Sequence, residues 1–278
     1  MPRMAIPLKS PRDIDAMRRA GAVLWGVLSD AAASARPGTT TRALDALIAG
    51  RIRSAGAEPV MRAAGFPGAA SITLNEEVVH APPGPRILRG GDIATIDASL
   101  RLDGWCVDAA TTVRVGTAWH SGVLKLQLAA TEALSAAIAV IAPGRRWSEV
   151  AEAAAGVARR ATCSLVVEYA GHGIGRNLHE PPAAPFHWDS GGDGSQPVAL
   201  PVPPIRPDSG GHPPPARQDF ILRPGMVLTI EPVLVLGRPE VLGLDDAWTV
   251  VTADRSAAAH EERTVAVTRG GALVLTAP

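Results

Sequence analysis

The chain has 278 residues, 46% hydrophobic and 19% charged, which is enough to bury one large core and too apolar for a disordered chain. Lys plus Arg balance Asp plus Glu at 27 each, so no long-range field draws the protein to nucleic acid or to an anionic membrane. The two cysteines, Cys106 and Cys163, exclude the disulfide framework of a small secreted domain and fit packing roles in a reducing compartment.

The opening stretch, MPRMAIPLKS, has no apolar core of an export signal, and no run is read as reaching the roughly 18–20 apolar residues of a membrane span, so a cytoplasmic location is expected. Arg carries nearly all the cationic charge. Lys occurs only at Lys9 and Lys125, a bias read as genome composition.

The first element is a helix from Pro11, with Ser10 as N-cap, Asp13 complementing the dipole, and Ile14, Met17, Leu24, Leu28 and Ala31 on one stripe. Pro37-Gly38 breaks the chain, and a second helix from near Thr41 buries Leu44, Leu47, Ile48 and Ile52. Strands are expected to about Val115. The order then recurs: a helix from about Gly122 to Val140, a break at Pro143-Gly144, a helix capped by Ser148 from about Glu149 to Ala161, and more strands.

The strand motifs repeat too, LRGGDIATID at 88–97 and LRPGMVLTIE at 222–231, each ending on an acid. The second lies about 28 residues further from its Pro-Gly break than the first does. The Gly-, Pro- and Ser-rich stretch 190–219 accounts for that excess by composition and reads as an irregular surface loop. The expectation is one domain of two halves, about 11–115 and 122–276, facing one another across a cleft.

Chemistry concentrates in that cleft. Asp103-Gly104 is a two-residue hairpin turn, which places Leu102 opposite Trp105 and Ser99 opposite Asp108. Asp97 and Asp108 then share a face at a diagonal of about 7–8 Å, beside Thr95, Ser99 and Thr112. On the hairpin alone, a solvated edge and a cation site are both open readings. Glu231 follows an apolar run, where a carboxylate is costly unless paired or metal-bound. Glu262 opens another such run, and EYAGHGIGRNLHEPP supplies His172 between glycines and then His179. Asp, Asp, His, Glu and Glu form an oxygen-rich donor set suited to two divalent ions, with Mn, Fe(II), Co and Zn all chemically possible.

NEEVVH, IDASLRLDGWCVD, GHGIGRNLHEPP, LRPGMVLTIEP and AWTVVTADRSAAAHEERTVAVT together resemble, in order and spacing, the type I methionine aminopeptidases of the pita-bread metallopeptidase fold. The resemblance covers about Pro11 to Thr276 apart from the insert. It implies an α+β fold whose duplicated antiparallel sheet has pseudo-twofold symmetry and helices on its outer face. It implies metal ligands at Asp97, Asp108, His172, Glu231 and Glu262, with Glu231 also moving the proton of the attacking water. It further implies His179 at the scissile carbonyl, His80 at the leaving nitrogen, and a substrate pocket of Phe66, His80, Leu178, His179 and Trp248. Expected substrates are the N-termini of nascent polypeptides or peptides, with a monomeric enzyme and transient ribosome contact.

Departures from the family pattern cluster in two places. Ala63, Ser71 and Leu178 stand where the family usually has an aromatic, a cysteine and an aromatic, so a paralogue with a shifted N-terminal preference is one alternative. A metal-free pita-bread peptide binder is the other. Around Glu262, His260, Glu261 and Arg263 replace an amide, an aromatic and a histidine. Arg263 then has two readings: it weakens metal affinity, or it pairs with Glu261.

Overall fold

The computed structural model describes residues 6–186 and 219–277; apart from Asp219, the insert at 190–219 lies outside them. The chain runs α1 (Pro11–Ser34), α2 (Thr41–Ser54), β1 (Glu58–Pro59), a one-turn α3 (Val60–Ala63), β2 (Ala70–Leu74), β3 (Glu77–Val79), β4 (Ile93–Leu102) and β5 (Trp105–Arg114). It continues with α4 (Ser121–Val140), α5 (Trp147–Arg160), β6 (Ser164–Leu165), β7 (Ala170–Gly173), β8 (Glu180–Pro185), β9 (Val227–Ile230) and β10 (Val233–Val235). The last elements are β11 (Val241–Gly243), β12 (Val250–Thr252), β13 (Ala258–His260), β14 (Glu262–Thr268) and β15 (Gly271–Val274).

The main antiparallel sheet has the order β1-β4-β5-β14-β9-β7-β8, with β2 on β4 and β15 on β14. Two small sheets, β13-β10-β6 and β11-β12-β3, flank it. Strand alternation sorts the two faces. Ala94, Ile96, Ala98 and Leu100 of β4, with Val107 and Ala109 of β5, pack into one core with α1 and α2, whereas Thr95, Asp97, Ser99, Asp108 and Thr112 turn the other way. Leu228, Ile230, Val265 and Val267 form the matching core with α4 and α5 around the fully buried Trp147. Cys106 and Cys163 are free and buried, one in each core.

Local side chains cap the starts of α1 and α2. Ser10 and Asp13 form a reciprocal capping box at α1. Ser148 does not cap α5: the helix starts at Trp147, Arg146 is the N-cap, and the Glu149 carboxylate accepts the Arg146 N–H at 2.7 Å. Ser148 sits inside the first turn, where Asp219 accepts both its N–H (3.0 Å) and its hydroxyl (2.9 Å). A capping partner seventy-one residues away carries no local sequence signal. One expectation about hydropathy is also corrected: α4, with a mean hydropathy of 1.5, is long and apolar enough by length and composition to cross a membrane. Its apolar face, Leu126, Ala129, Ala130, Ala133, Leu134 and Ala137, is spent inside the core formed with α5.

Segments near the two ends of the described residues are sewn into the body. Gly21 of α1 lies so close under the C-terminal segment that a Cβ there would sit 2.0 Å from the Leu275 carbonyl oxygen. Lys9 donates its N–H to Gly225 O at 2.7 Å and its ammonium to Glu180 at 2.7 Å, both side chains being buried.

Candidate metal centre

The β4–β5 hairpin forms in the expected register. Leu102 pairs with Trp105 and Ser99 with Asp108, which leaves Asp97 opposite Ala110, one diagonal step from Asp108. Asp103 (φ 51°) and Gly104 (φ 75°) take the left-handed conformations that a tight two-residue turn needs. Behind the acids, the hydroxyls of Thr95 and Thr112 bond at 2.8 Å.

The remaining donors arrive from three other places. His172 lies on β7, whose Gly171 presses against β9 so tightly that a Cβ would meet Thr229 O at 2.3 Å. The Thr229 hydroxyl accepts the His172 N–H at 2.9 Å and donates to Glu231 Oε1 at 2.7 Å, so one threonine orients two candidate ligands. His172 Nδ1 lies 3.0 Å from Gly173 O; as the donor there, it frees Nε2 for a metal. That Nε2 is 3.9 Å from Glu231 Oε1. Glu262 opens β14, where it pairs with Ala110, and Thr264 on the same strand exchanges hydrogen bonds with the Asp108 backbone.

Asp108, His172 and Glu262 bring one potential ligand atom each to within 4.8 Å of one another. Asp108 Oδ1 and Glu262 Oε1 are buried without a hydrogen-bond partner, a costly state for carboxylate oxygens. Burial drives the pKa values of Asp97, Asp108, Glu231 and Glu262 upward, and Asp108 and Glu262 are raised further by the neighbouring acids. His172 goes the other way, to about 3, through burial and then through His179, so it is a neutral imidazole at physiological pH. Crowded acids that resist ionising, orphaned oxygens and a neutral imidazole with its tautomer fixed fit a divalent cation.

His179 is exposed at the cleft, its ring centroid 4.3 Å from that of His172. His80 follows β3 at φ 59°, a conformation rarely held by a non-glycine residue, and its ring meets Tyr169 edge-on at 5.8 Å. Burial, then His179, lowers its pKa to about 4. Phe66 and Trp248 meet edge-on at 5.2 Å, and Leu178 packs against the first core. The loop carrying Phe66 is anchored by the buried Asp45 of α2, whose Oδ1 accepts the N–H groups of Ala69 (2.6 Å) and Ala70 (3.1 Å).

Sequence reasoning missed Thr229 and Asp45. For Thr229 a signal existed, since a residue two before Glu231 on a strand shares its face. For Asp45 the only hint was an acid on the buried side of an amphipathic helix.

Residues 15–269 match the model of Metallopeptidase family M24. The chain is 38% identical to the methionine aminopeptidase of Treponema pallidum over 98% of this chain and 97% of that protein. It is also 38% identical to methionine aminopeptidase 1 of Mycobacterium tuberculosis, over 99% and 96%. Among solved structures, the methionine aminopeptidase of Thermotoga maritima superposes with a TM-score of 0.85 at 30% identity, covering 99% of this chain and all of that one. The prolidase of Pyrococcus furiosus shares the fold alone, with a TM-score of 0.71 at 18% identity over 98% of this chain and 65% of that one.

Proposed function

The chain belongs to metallopeptidase family M24 and has its pita-bread fold, and from that premise we propose how its residues do the work of a metal-dependent methionine aminopeptidase, the hydrolysis of the peptide bond after an N-terminal methionine. The relatives' shared name favours this reading over a shifted residue preference or a non-catalytic binder. The observation that carries it is the convergence of Asp108, His172 and Glu262 from three separate strands.

We assign Asp97, Asp108, His172, Glu231 and Glu262 as the residues that hold two divalent ions, within one catalytic domain made of two halves. Bound there, the ions would supply Lewis acidity and bring the pKa of a water into the neutral range. Everything else falls to the protein. Glu231, held at Oε1 by Thr229, accepts the proton of the attacking water at its carboxylate and returns it to the departing amine. His179 donates a hydrogen bond to the scissile carbonyl oxygen, where negative charge develops. His80, kept neutral by burial, hydrogen-bonds the leaving nitrogen. Phe66, Trp248 and Leu178 offer an apolar wall to the methionine side chain. The acids around the ions favour a free α-amino group, which restricts the enzyme to chain ends of nascent polypeptides in the cytoplasm.

The test is hydrolysis of Met-Ala-Ser against a panel of X-Ala-Ser peptides, with Mn or Co added to metal-free protein. Metal-dependent cleavage preferring Met is expected. Equal rates across the panel would remove the methionine assignment, and an absence of metal-dependent cleavage would remove the enzyme.

A further inference from the structure

At the height of the candidate ligands, β5 and β14 are joined more by side chains than by their ladder. Backbone register pairs only Glu262 with Ala110 and Arg263 with Ala109. Around these two rungs, the Thr264 hydroxyl accepts the Asp108 N–H at 3.0 Å and donates to Asp108 O at 2.8 Å. Arg263 Nη1 donates to Ala110 O at 2.8 Å and to Glu262 O at 2.6 Å. Glu261 Oε1 accepts the Thr112 N–H at 2.9 Å, and its Oε2 lies 3.5 Å from Arg263 Nη2. The guanidinium lies 4.6 Å over the ring of Trp25 on α1.

This is an unusual place for an ion pair. The Arg263 and Glu261 side chains are only 13% and 7% exposed, and burying such a pair adds little stability that apolar residues could not supply. What the pair supplies is geometry. A planar fork donates to two carbonyls and a carboxylate while its face rests on an aromatic ring, which a lysine cannot copy. Glu261 occupies the crossing point where the chain leaves the small sheet at β13 and enters the main sheet at β14, so its carboxylate fills a ladder position that β14 does not reach. It also offsets a positive charge that would otherwise face the ions alone.

We propose that Arg263 and Glu261 are positioning residues of the metal centre: they fix the spacing between the strand that carries Asp108 and the strand that carries Glu262. This rests on the ligand assignment above. Of the two sequence readings of Arg263, it takes pairing with Glu261 and gives that pairing a purpose.

The test titrates metal-free protein with Mn, by calorimetry and by Mn electron paramagnetic resonance, for wild type, Arg263→Lys, Arg263→Met and Glu261→Gln, alongside kcat and KM on Met-Ala-Ser. Arg263→Lys should weaken Mn binding about ten- to a hundredfold, lower kcat, leave KM within about twofold and alter the spin-coupled signal. Glu261→Gln, which keeps an acceptor for the Thr112 N–H, should move every readout the same way by less. Arg263→Lys shows whether charge without a fork suffices; Arg263→Met, which removes both charge and fork, should do at least as much harm. Should methionine prevent folding, the lysine and glutamine variants decide. Unchanged Mn affinity and spectrum in folded Arg263→Lys and Glu261→Gln protein overturns the proposal. Wild type that binds no Mn overturns the ligand assignment and this inference with it, so the two failures read differently.

Discussion

The two halves of the proposed metal site are built by different means. Asp97 and Asp108 sit on β4 and β5, a ten-rung hairpin closed by a two-residue turn, so their relation is fixed by residues close in sequence. Glu231 just follows β9, which pairs with β14 over four rungs, but the strands of His172 and Glu262 meet β9 and β5 over few. Gly173 to Leu228 is the one pair between β7 and β9, and Glu262 to Ala110 and Arg263 to Ala109 are the two between β5 and β14. Threonine hydroxyls and one guanidinium supply there what the ladder does not. A long local ladder tolerates a weak rung, whereas a short ladder completed by side chains depends on each of them.

The largest break in that comparison comes from the proposed ligands themselves. Asp108→Asn should lower kcat on Met-Ala-Ser by roughly three orders of magnitude or more, measured at saturating Mn, because an essential member of a unit is removed. On the side-chain-built half, Thr229→Val should leave the His172 N–H unpaired and Glu231 unheld. Roughly a ten- to hundredfold loss of metal affinity and about 1–3 kcal/mol of stability are expected, read by calorimetry and urea melts.

Removing the metal sharpens the contrast through pH. The four acids hold protons more tightly folded than unfolded, so between the ordinary carboxyl range near pH 4 and neutrality the folded state carries more protons. Stability of the metal-free protein contributed by this cluster therefore falls as pH rises through that window. Thermal melts from pH 5 to 8 should show a declining Tm without metal and a flatter one at saturating Mn; parallel curves would mean that the acids do not face a common cation. The smallest effect belongs to the hairpin. Gly104→Ala, at φ 75° and with a new Cβ 2.7 Å from Arg176 Nη1, should cost about 1–2 kcal/mol while kcat stays within about threefold.

The same division explains what could be read in advance. The Asp103-Gly104 turn, the Ser10 cap and the alternation of β4 are local, and each led to its position in the structure. The capping of α5 by Asp219, the Thr229 link between His172 and Glu231, and the anchoring of the Phe66 loop by Asp45 all join residues far apart in sequence or on different elements. No window of local periodicity contains both partners. Arg263 and Glu261 were visible as oddities, yet only the fold shows that they bridge to β5 and rest on Trp25.

The stitching of early residues to late ones has a consequence for synthesis. Lys9 waits for Glu180 and Gly225, Trp25 for Arg263, and Gly21 for Leu275. A polypeptide emerging from the ribosome cannot complete this cleft until its last strands have been translated, so the candidate site forms only once synthesis is nearly finished.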